Sequence, residues 1–180
     1  MKVRIIISVM FLISLSCMVL FAQETSEQKT KFDQFTSKSG VITRFEDFNL
    51  AKLDIGYGET LLALDCKVRI VYVGQLKGYY LHISNSTNKC LIESTDLNEI
   101  LKALDALISA SVNNINPNAD YYESRFVTDD FEIGFYKDKE TAWYIKLSKY
   151  GKGNVVPIKN IQNVRQTFVS AIDKIDSLKL

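Results

Sequence analysis

The imidazole and thiol side chains of this sequence, which could act as a base or a nucleophile, are those of its one histidine, His82, and its three cysteines. A Ser-His-Asp or Cys-His enzyme needs the histidine within hydrogen-bond reach of a nucleophile and an orienting acid, and no nucleophile elbow is present. A zinc site draws three or four ligands from short spacings, which one histidine and distant cysteines do not supply. The sequence therefore assigns no catalytic residue, no metal ligand and no cofactor.

Cys66 and Cys90 are the two cysteines outside the apolar N-terminal stretch. An even pair in an exported protein favours a disulfide. If the two residues begin next-but-one strands, the strand between them separates their Cα atoms by about two spacings of 4.8 Å, more than the roughly 7 Å that a bridge tolerates. Both interpretations stay open: a Cys66–Cys90 disulfide, or two buried thiols that fill the core.

Three acidic residues, Asp129, Asp130 and Glu132, lie close together in the sequence and could offer oxygen ligands to calcium. They lack the alternating acidic loop, with a central glycine and a distal glutamate, that a dedicated calcium site has. We therefore predict a solvated hairpin turn at this point.

Alternating residues of several predicted strands define one polar and aromatic sheet face. Tyrosine and arginine are enriched where proteins bind other molecules, although the solvent face of any antiparallel sheet also collects such residues. We predict that this face is exposed and binds a protein or a small amphipathic ligand. Its members are Arg69, Tyr80, His82, Glu132, Tyr136, Tyr144 and Lys146.

The strands that carry this face are predicted from period-two patterns. In Thr60–Val73 the even positions are apolar, and because the segment is long for one strand we expect a bend or bulge near Asp65. Asp96 followed by Glu99 predicts a capped helix whose leucines and isoleucines recur at three- and four-residue spacings. The other strands predicted in this half are Gly40–Leu53, Tyr79–Ser84 and Lys89–Glu93.

The second half repeats this order of strands followed by a helix. Its predicted strands are Tyr121–Thr128, Phe131–Lys137, Ala142–Lys149 and Val155–Ile158, and a terminal helix has its apolar face from Ile161 to Ile175. Cys90–Ser111 and Asn154–Lys174 share the order of a short strand and an amphipathic helix, which suggests a weak internal duplication. The pattern predicts an α+β fold, a curved antiparallel sheet of seven or eight strands covered on one face by two amphipathic helices.

Residues 1–22 resemble a bacterial secretory signal peptide. Lys2 and Arg4 precede a long apolar run, and the small residue Ala22 ends it. We expect cleavage after Ala22 and an exported protein, periplasmic or extracellular. Lipoprotein processing at Cys17 and an uncleaved anchor are the alternatives.

The remaining chain divides into a flexible polar lead, residues 23–38, and a single α+β domain, residues 39–180. No segment after the leader is apolar enough to span a membrane. The chain carries 22 Lys and Arg against 21 Asp and Glu, so it has no strong overall field and we expect no nucleic-acid partner.

These observations favour an exported, non-enzymatic binding or interaction domain of the bacterial envelope. One alternative is a small envelope hydrolase that uses His82 and carboxylates. Another is a structural envelope component that forms a homo-oligomer through an unpaired sheet edge.

Overall fold

The computed structural model describes residues 29–56, 62–113, 116, 118–148 and 154–180. Nine antiparallel strands form one sheet in the order β5-β4-β3-β2-β9-β8-β7-β6, and β1 pairs with β3 beside β2. The predicted α+β fold with a curved antiparallel sheet is confirmed. The strands are β1 (Thr43–Asn49), β2 (Leu53–Ile55), β3 (Leu62–Val73), β4 (Leu76–Ser84), β5 (Lys89–Glu93), β6 (Tyr122–Val127), β7 (Glu132–Lys137), β8 (Thr141–Lys146) and β9 (Val155–Ile158), and the helices are α1 (Lys31–Thr36), α2 (Leu97–Asn113) and α3 (Ile161–Lys179).

Strand β3 organises the first half of the sheet, because one of its edges pairs with β4 and the other pairs with both β1 and β2. Asn49 pairs with Lys67, whereas Leu53 pairs with Leu64, so the β1–β2 segment has one extra residue opposite Asp65. This β-bulge lies where the sequence predicts a bend. It divides the predicted first strand into β1 and β2, which raises the strand count from eight to nine.

The two halves of the sheet meet at β2 and β9, where the main-chain pairing is sparse. In the described residues, Ile55 and Ile158 form the one residue pair between these strands, and the Gly56 amide donates to the Pro157 carbonyl over 3.3 Å. By contrast, β3 and β4 share nine residue pairs. Helix α3 packs beneath this junction against β2 and β3. The two halves of the sheet are therefore joined largely by the packing of buried side chains.

Helices α2 and α3 cover one face of the sheet with their apolar stripes. Asn160 caps α3 by accepting a hydrogen bond from the Gln162 amide over 2.9 Å. No helix of the described ranges is long and apolar enough to cross a membrane. The buried residues of the two stripes are Leu97, Ile100, Leu104, Leu107, Val164, Thr167, Phe168, Ala171 and Ile175.

Helix α1 lies on the opposite face of the sheet. A capping box begins it, in which the Thr30 hydroxyl accepts the Asp33 amide and the Asp33 carboxylate accepts the Thr30 amide. Phe32 and Phe35 pack against the Tyr80 ring, at centroid distances of 5.4 and 6.2 Å. The predicted flexible lead, residues 23–38, therefore contains a short helix in its described part, because the two phenylalanines pack on an aromatic residue far along the chain.

Candidate functional site

A cavity of about 440 Å³ opens between α1, the start of α2, the β6–β7 hairpin and the end of β8. Its volume lies within the range of roughly 300–1,000 Å³ that is usual for small-molecule sites. Phe126, Val127 and Phe131 supply the apolar part of the lining, and most of the other lining residues are charged. The complete lining is Lys31, Asp96, Glu99, Phe126, Val127, Thr128, Asp129, Asp130, Phe131, Glu132, Lys146 and Ser148.

Acidic side chains outnumber basic ones around the cavity, with five carboxylates against two ammonium groups. Lys31 neutralises Asp96, since its Nζ lies 2.7 Å from both carboxylate oxygens. Lys146 approaches Glu132 at 3.6 Å. Among the lining carboxylates, those of Glu99, Asp129 and Asp130 have no ion pair with a described residue. The cavity therefore has an uncompensated negative charge.

Asp130 is the most constrained of these carboxylates. Its Oδ1 atom is buried and has no hydrogen-bond partner among the described residues. Burial raises the pKa of Asp130 to about 6, with the neighbouring carboxylates of Asp129, Asp33 and Asp96 acting in the same direction and a hydrogen bond from the Lys31 backbone opposing them. At neutral pH Asp130 is a half-buried anion, and a cation beside its carboxylate would offset the cost of this burial.

Contacts with β5 and α3 hold the turn of the β6–β7 hairpin, which carries Asp130. The Cys90 thiol of β5 donates to the Asp130 carbonyl over 2.9 Å, which ties the hairpin to the opposite edge of the sheet. The Thr128 hydroxyl accepts the Phe131 amide over 3.0 Å, and the Phe131 ring packs on Phe168 of α3 at 5.6 Å. The cavity wall is therefore fixed before any ligand binds, which limits the entropy cost of binding.

The seven residues of the predicted binding face fall into two separate groups. Only Glu132 and Lys146 line the cavity. The first group, on β3 and β4, consists of Arg69, Tyr80 and His82. The second group, on β7 and β8, consists of Glu132, Tyr136, Tyr144 and Lys146.

The second group forms a hydrogen-bonded cluster rather than a free surface. The Tyr144 hydroxyl is 2.8 Å from a Glu123 carboxylate oxygen and 3.2 Å from a Glu132 oxygen, and burial with these two carboxylates raises the pKa of Tyr144. Tyr136 packs beside Tyr144 at 6.5 Å and stacks with Tyr121 at 6.4 Å. Tyr144 is buried. Its ring is therefore not available to a partner, contrary to the prediction of an exposed binding face.

Gly134 makes room for this cluster. An alanine Cβ at this position would lie 2.8 Å from the Ser124 carbonyl oxygen and 2.9 Å from the Tyr144 hydroxyl. We expect Gly134→Ala to lower the free energy of unfolding by about 1–3 kcal/mol, because overpacking against backbone is not easily relieved. Urea denaturation of the two proteins checks this, and equal midpoints would mean that β6 moves aside.

Tyr80 and His82 of the first group are buried as well, which corrects the prediction that these residues are exposed. Tyr80 lies beneath α1, and only 6% of His82 is exposed. Neither ring nitrogen of His82 has a hydrogen-bond partner among the described residues, and burial, with Arg69 and Lys67 nearby, lowers the pKa of His82 to about 4. Arg69 pairs with both carboxylate oxygens of Asp47, at 2.7 and 2.8 Å, and holds the pKa of Asp47 well below its usual range.

Cys66 and Cys90 are free thiols. Ile83 of β4 pairs with Cys66 on one side and with Cys90 on the other, so a whole strand separates the two sulfur atoms. This is the separation by one intervening strand that the sequence-based argument against a disulfide assumes. Burial raises the pKa of Cys66 to about 12 and that of Cys90 further still, which makes both thiols poor nucleophiles.

A hydrolase that uses His82 would need a pocket that joins His82 to an acid and to a hydroxyl or a thiol. His82, Cys66 and Cys90 are not among the lining residues of the cavity. Within the described ranges, no group of three or more His, Cys, Asp or Glu side chains has the geometry to hold a metal ion.

Sequence reasoning missed the residues that make the cavity acidic. The sequence predicts a turn at Asp129 and Asp130 and a helix cap at Asp96. In the structure Asp96 forms an ion pair with Lys31 of α1, a helix that the sequence does not predict. The sequence signal for this site is the pair of adjacent aspartates directly before the apolar Phe131, because a carboxylate next to a core residue is seldom buried unless it is paired.

The fold and the cavity define the class of this protein as an α+β domain with an acidic, partly apolar cavity. No family model matches the chain, and neither a curated protein nor a solved structure is significantly similar to it.

Proposed function

We propose that the protein is an exported, non-enzymatic binding domain of the bacterial envelope, and that its ligand is a small amphipathic molecule with a positively charged group. The signal-like residues 1–22 support export. The excess of carboxylates in the wall of the cavity, with Asp130 half-buried among them, is the observation that carries the proposed ligand class.

The cavity matches such a ligand in two respects. An ammonium group placed beside the Asp130 carboxylate would neutralise a charge that burial otherwise makes costly. The apolar part of the molecule would lie on Phe126, Val127 and Phe131, of which Val127 is more than half exposed without a ligand. An anionic ligand, by contrast, would meet the unpaired carboxylates of Glu99 and Asp129.

Hexylamine is a probe for this ligand class, with hexanol and hexanoate as neutral and anionic molecules of similar shape. We expect calorimetric titration to detect hexylamine binding and no binding of hexanoate. Asp130→Asn removes the charge and should weaken hexylamine binding at least about tenfold, because a hydrogen bond to a charged group contributes roughly 1.5–3 kcal/mol.

The matched control is Asp138→Asn, which makes the same substitution in the exposed β7–β8 turn and should leave the affinity unchanged. Hexylamine affinity should also fall as the pH drops below about 6, where the Asp130 carboxylate becomes protonated. Equal binding of hexylamine and hexanoate, or equal losses in the two variants, would overturn the proposed ligand class.

A further inference from the structure

Strand β1 has one edge that no strand of the described ranges pairs with. Natural proteins protect such edges with charged side chains, especially lysine, with proline, with β-bulges or with a covering segment, because free N–H and C=O groups bind other strands. The sequence of β1, Thr-Arg-Phe-Glu-Asp-Phe-Asn, contains neither lysine nor proline, and its three charged residues are of both signs. Phe45 on this strand is 48% exposed, and Ile42 just before it is 85% exposed.

The hydrogen bonds at the ends of β1 show which residues face the free edge. The Ile42 carbonyl accepts the Gly74 amide over 3.1 Å, and the Leu50 amide donates to the Cys66 carbonyl over 2.9 Å. Bonded and non-bonded residue pairs alternate along an antiparallel ladder, so the even-numbered residues of β1 bond to β3. Thr43, Phe45 and Asp47 therefore direct their N–H and C=O groups outward.

We infer that the free edge of β1 pairs with the same edge of a second copy of this chain, antiparallel, about a two-fold axis at Phe45. The two-fold axis of an antiparallel strand pair passes through either a bonded or a non-bonded residue pair, so it places one residue of either kind opposite itself. An axis at Arg44 or Glu46 would place like charges face to face, and an axis at Phe48 would leave most of β1 without a partner strand. An axis at Asp47 would place two carboxylates face to face, and an axis at Thr43, the first residue of β1, would leave most of the strand without a partner strand. An axis at Phe45 places Arg44 of each copy opposite Glu46 of the other.

The side chains of this register complement one another on both faces of the joined sheets. Arg44 and Glu46, which already approach each other at 3.3 Å within one chain, would form two cross-strand pairs in the dimer. The two Phe45 rings would lie side by side, and the exposed Ile42 would face Phe48 of the second copy. None of these residues lines the cavity, so the dimer is independent of the proposed ligand.

Sedimentation velocity of the purified full chain over a dilution series tests this inference, and we expect a concentration-dependent dimer. Arg44→Glu sets glutamates opposite each other and should shift the species to a monomer. Arg44→Glu combined with Glu46→Arg restores opposite charges across the axis and should restore the dimer. Lys139→Glu makes the same change of charge as Arg44→Glu in the exposed β7–β8 turn and should leave the dimer intact.

Amide hydrogen exchange distinguishes this register from other contacts. The outward amides of Thr43, Phe45 and Asp47 should exchange more slowly at high protein concentration, whereas those of Arg44 and Glu46 should be protected at every concentration. A monomer at all concentrations would overturn the inference, as would a dimer that survives Arg44→Glu in a folded protein. Protection of Phe45 that does not depend on concentration would overturn it too, because a segment of the same chain would then cover the edge.

Discussion

The wild-type protein should lose about 3 kcal/mol of stability relative to His82→Leu when the pH is lowered from neutral to about 4. Burial lowers the pKa of His82 from 6.5 to about 4 in the folded protein, and the unfolded chain keeps the ordinary value. Between these two values the unfolded state binds more protons than the folded state. Stability therefore falls as the pH falls through this window, and the leucine variant lacks this contribution.

The environment of His82 makes protonation unfavourable for a physical reason beyond burial. The charged groups that act on it are Arg69, Lys67 and Lys89, which oppose a positive charge, and Asp47, which favours one. Asp47 is already engaged by Arg69 and Lys67, at 2.7 Å in each case. An imidazolium would therefore lack a free counter-ion.

Denaturant titrations of both proteins at a series of pH values measure this difference. Comparison with His82→Leu is necessary because Asp130, whose pKa is raised, stabilises the folded state as the pH falls and so opposes the His82 effect. Both proteins retain Asp130, so its contribution cancels in the comparison. Parallel stability profiles for the two proteins would show that His82 is solvated or paired in solution.

Phe168→Ala should lower the free energy of unfolding by about 3–5 kcal/mol, the cost usual for removing a buried aromatic side chain. Phe168 of α3 is fully buried and packs against Phe131 of the hairpin that carries Asp130. The same substitution should therefore also weaken hexylamine binding, because it removes the support of the cavity wall. Thermal and chemical denaturation measure the first effect and calorimetric titration the second.

Val112→Ala is the matched control on the other long helix. Val112 is 78% exposed, so its truncation should change stability by no more than about 0.5 kcal/mol. Similar losses from Phe168→Ala and Val112→Ala would mean that α3 does not close the core as described.

Local patterns predicted most of the fold because local residues determine it. The alternation through β3 and the three- and four-residue spacing in α2 mark one buried face each, and the excess length of β3 pointed to the bulge opposite Asp65. Helix α1 could not be predicted in this way. It has six residues and two apolar side chains, and its stabilisation comes from Tyr80, far along the chain.

The candidate site was harder to predict than the fold, for the same reason. A face assigned by alternation is exposed only if nothing packs on it, and α1 packs on Tyr80. The cavity joins Lys31, Asp96 and Asp130 from three separate elements, and no short pattern in the sequence brings them together. Glu132 and Lys146 were selected because they share a face on paired strands, which is the kind of proximity that alternation can detect.

The sparse junction between β2 and β9 has a mechanical consequence. Among the described residues, a force across the sheet would be resisted by nine residue pairs between β3 and β4, but at the junction by the Ile55–Ile158 pair and the Gly56–Pro157 hydrogen bond. Peptide hydrogen bonds loaded together in shear resist extension strongly, whereas apolar contacts yield gradually. The domain should therefore give way first at this junction, and each half of the sheet should part from the other before either one unravels.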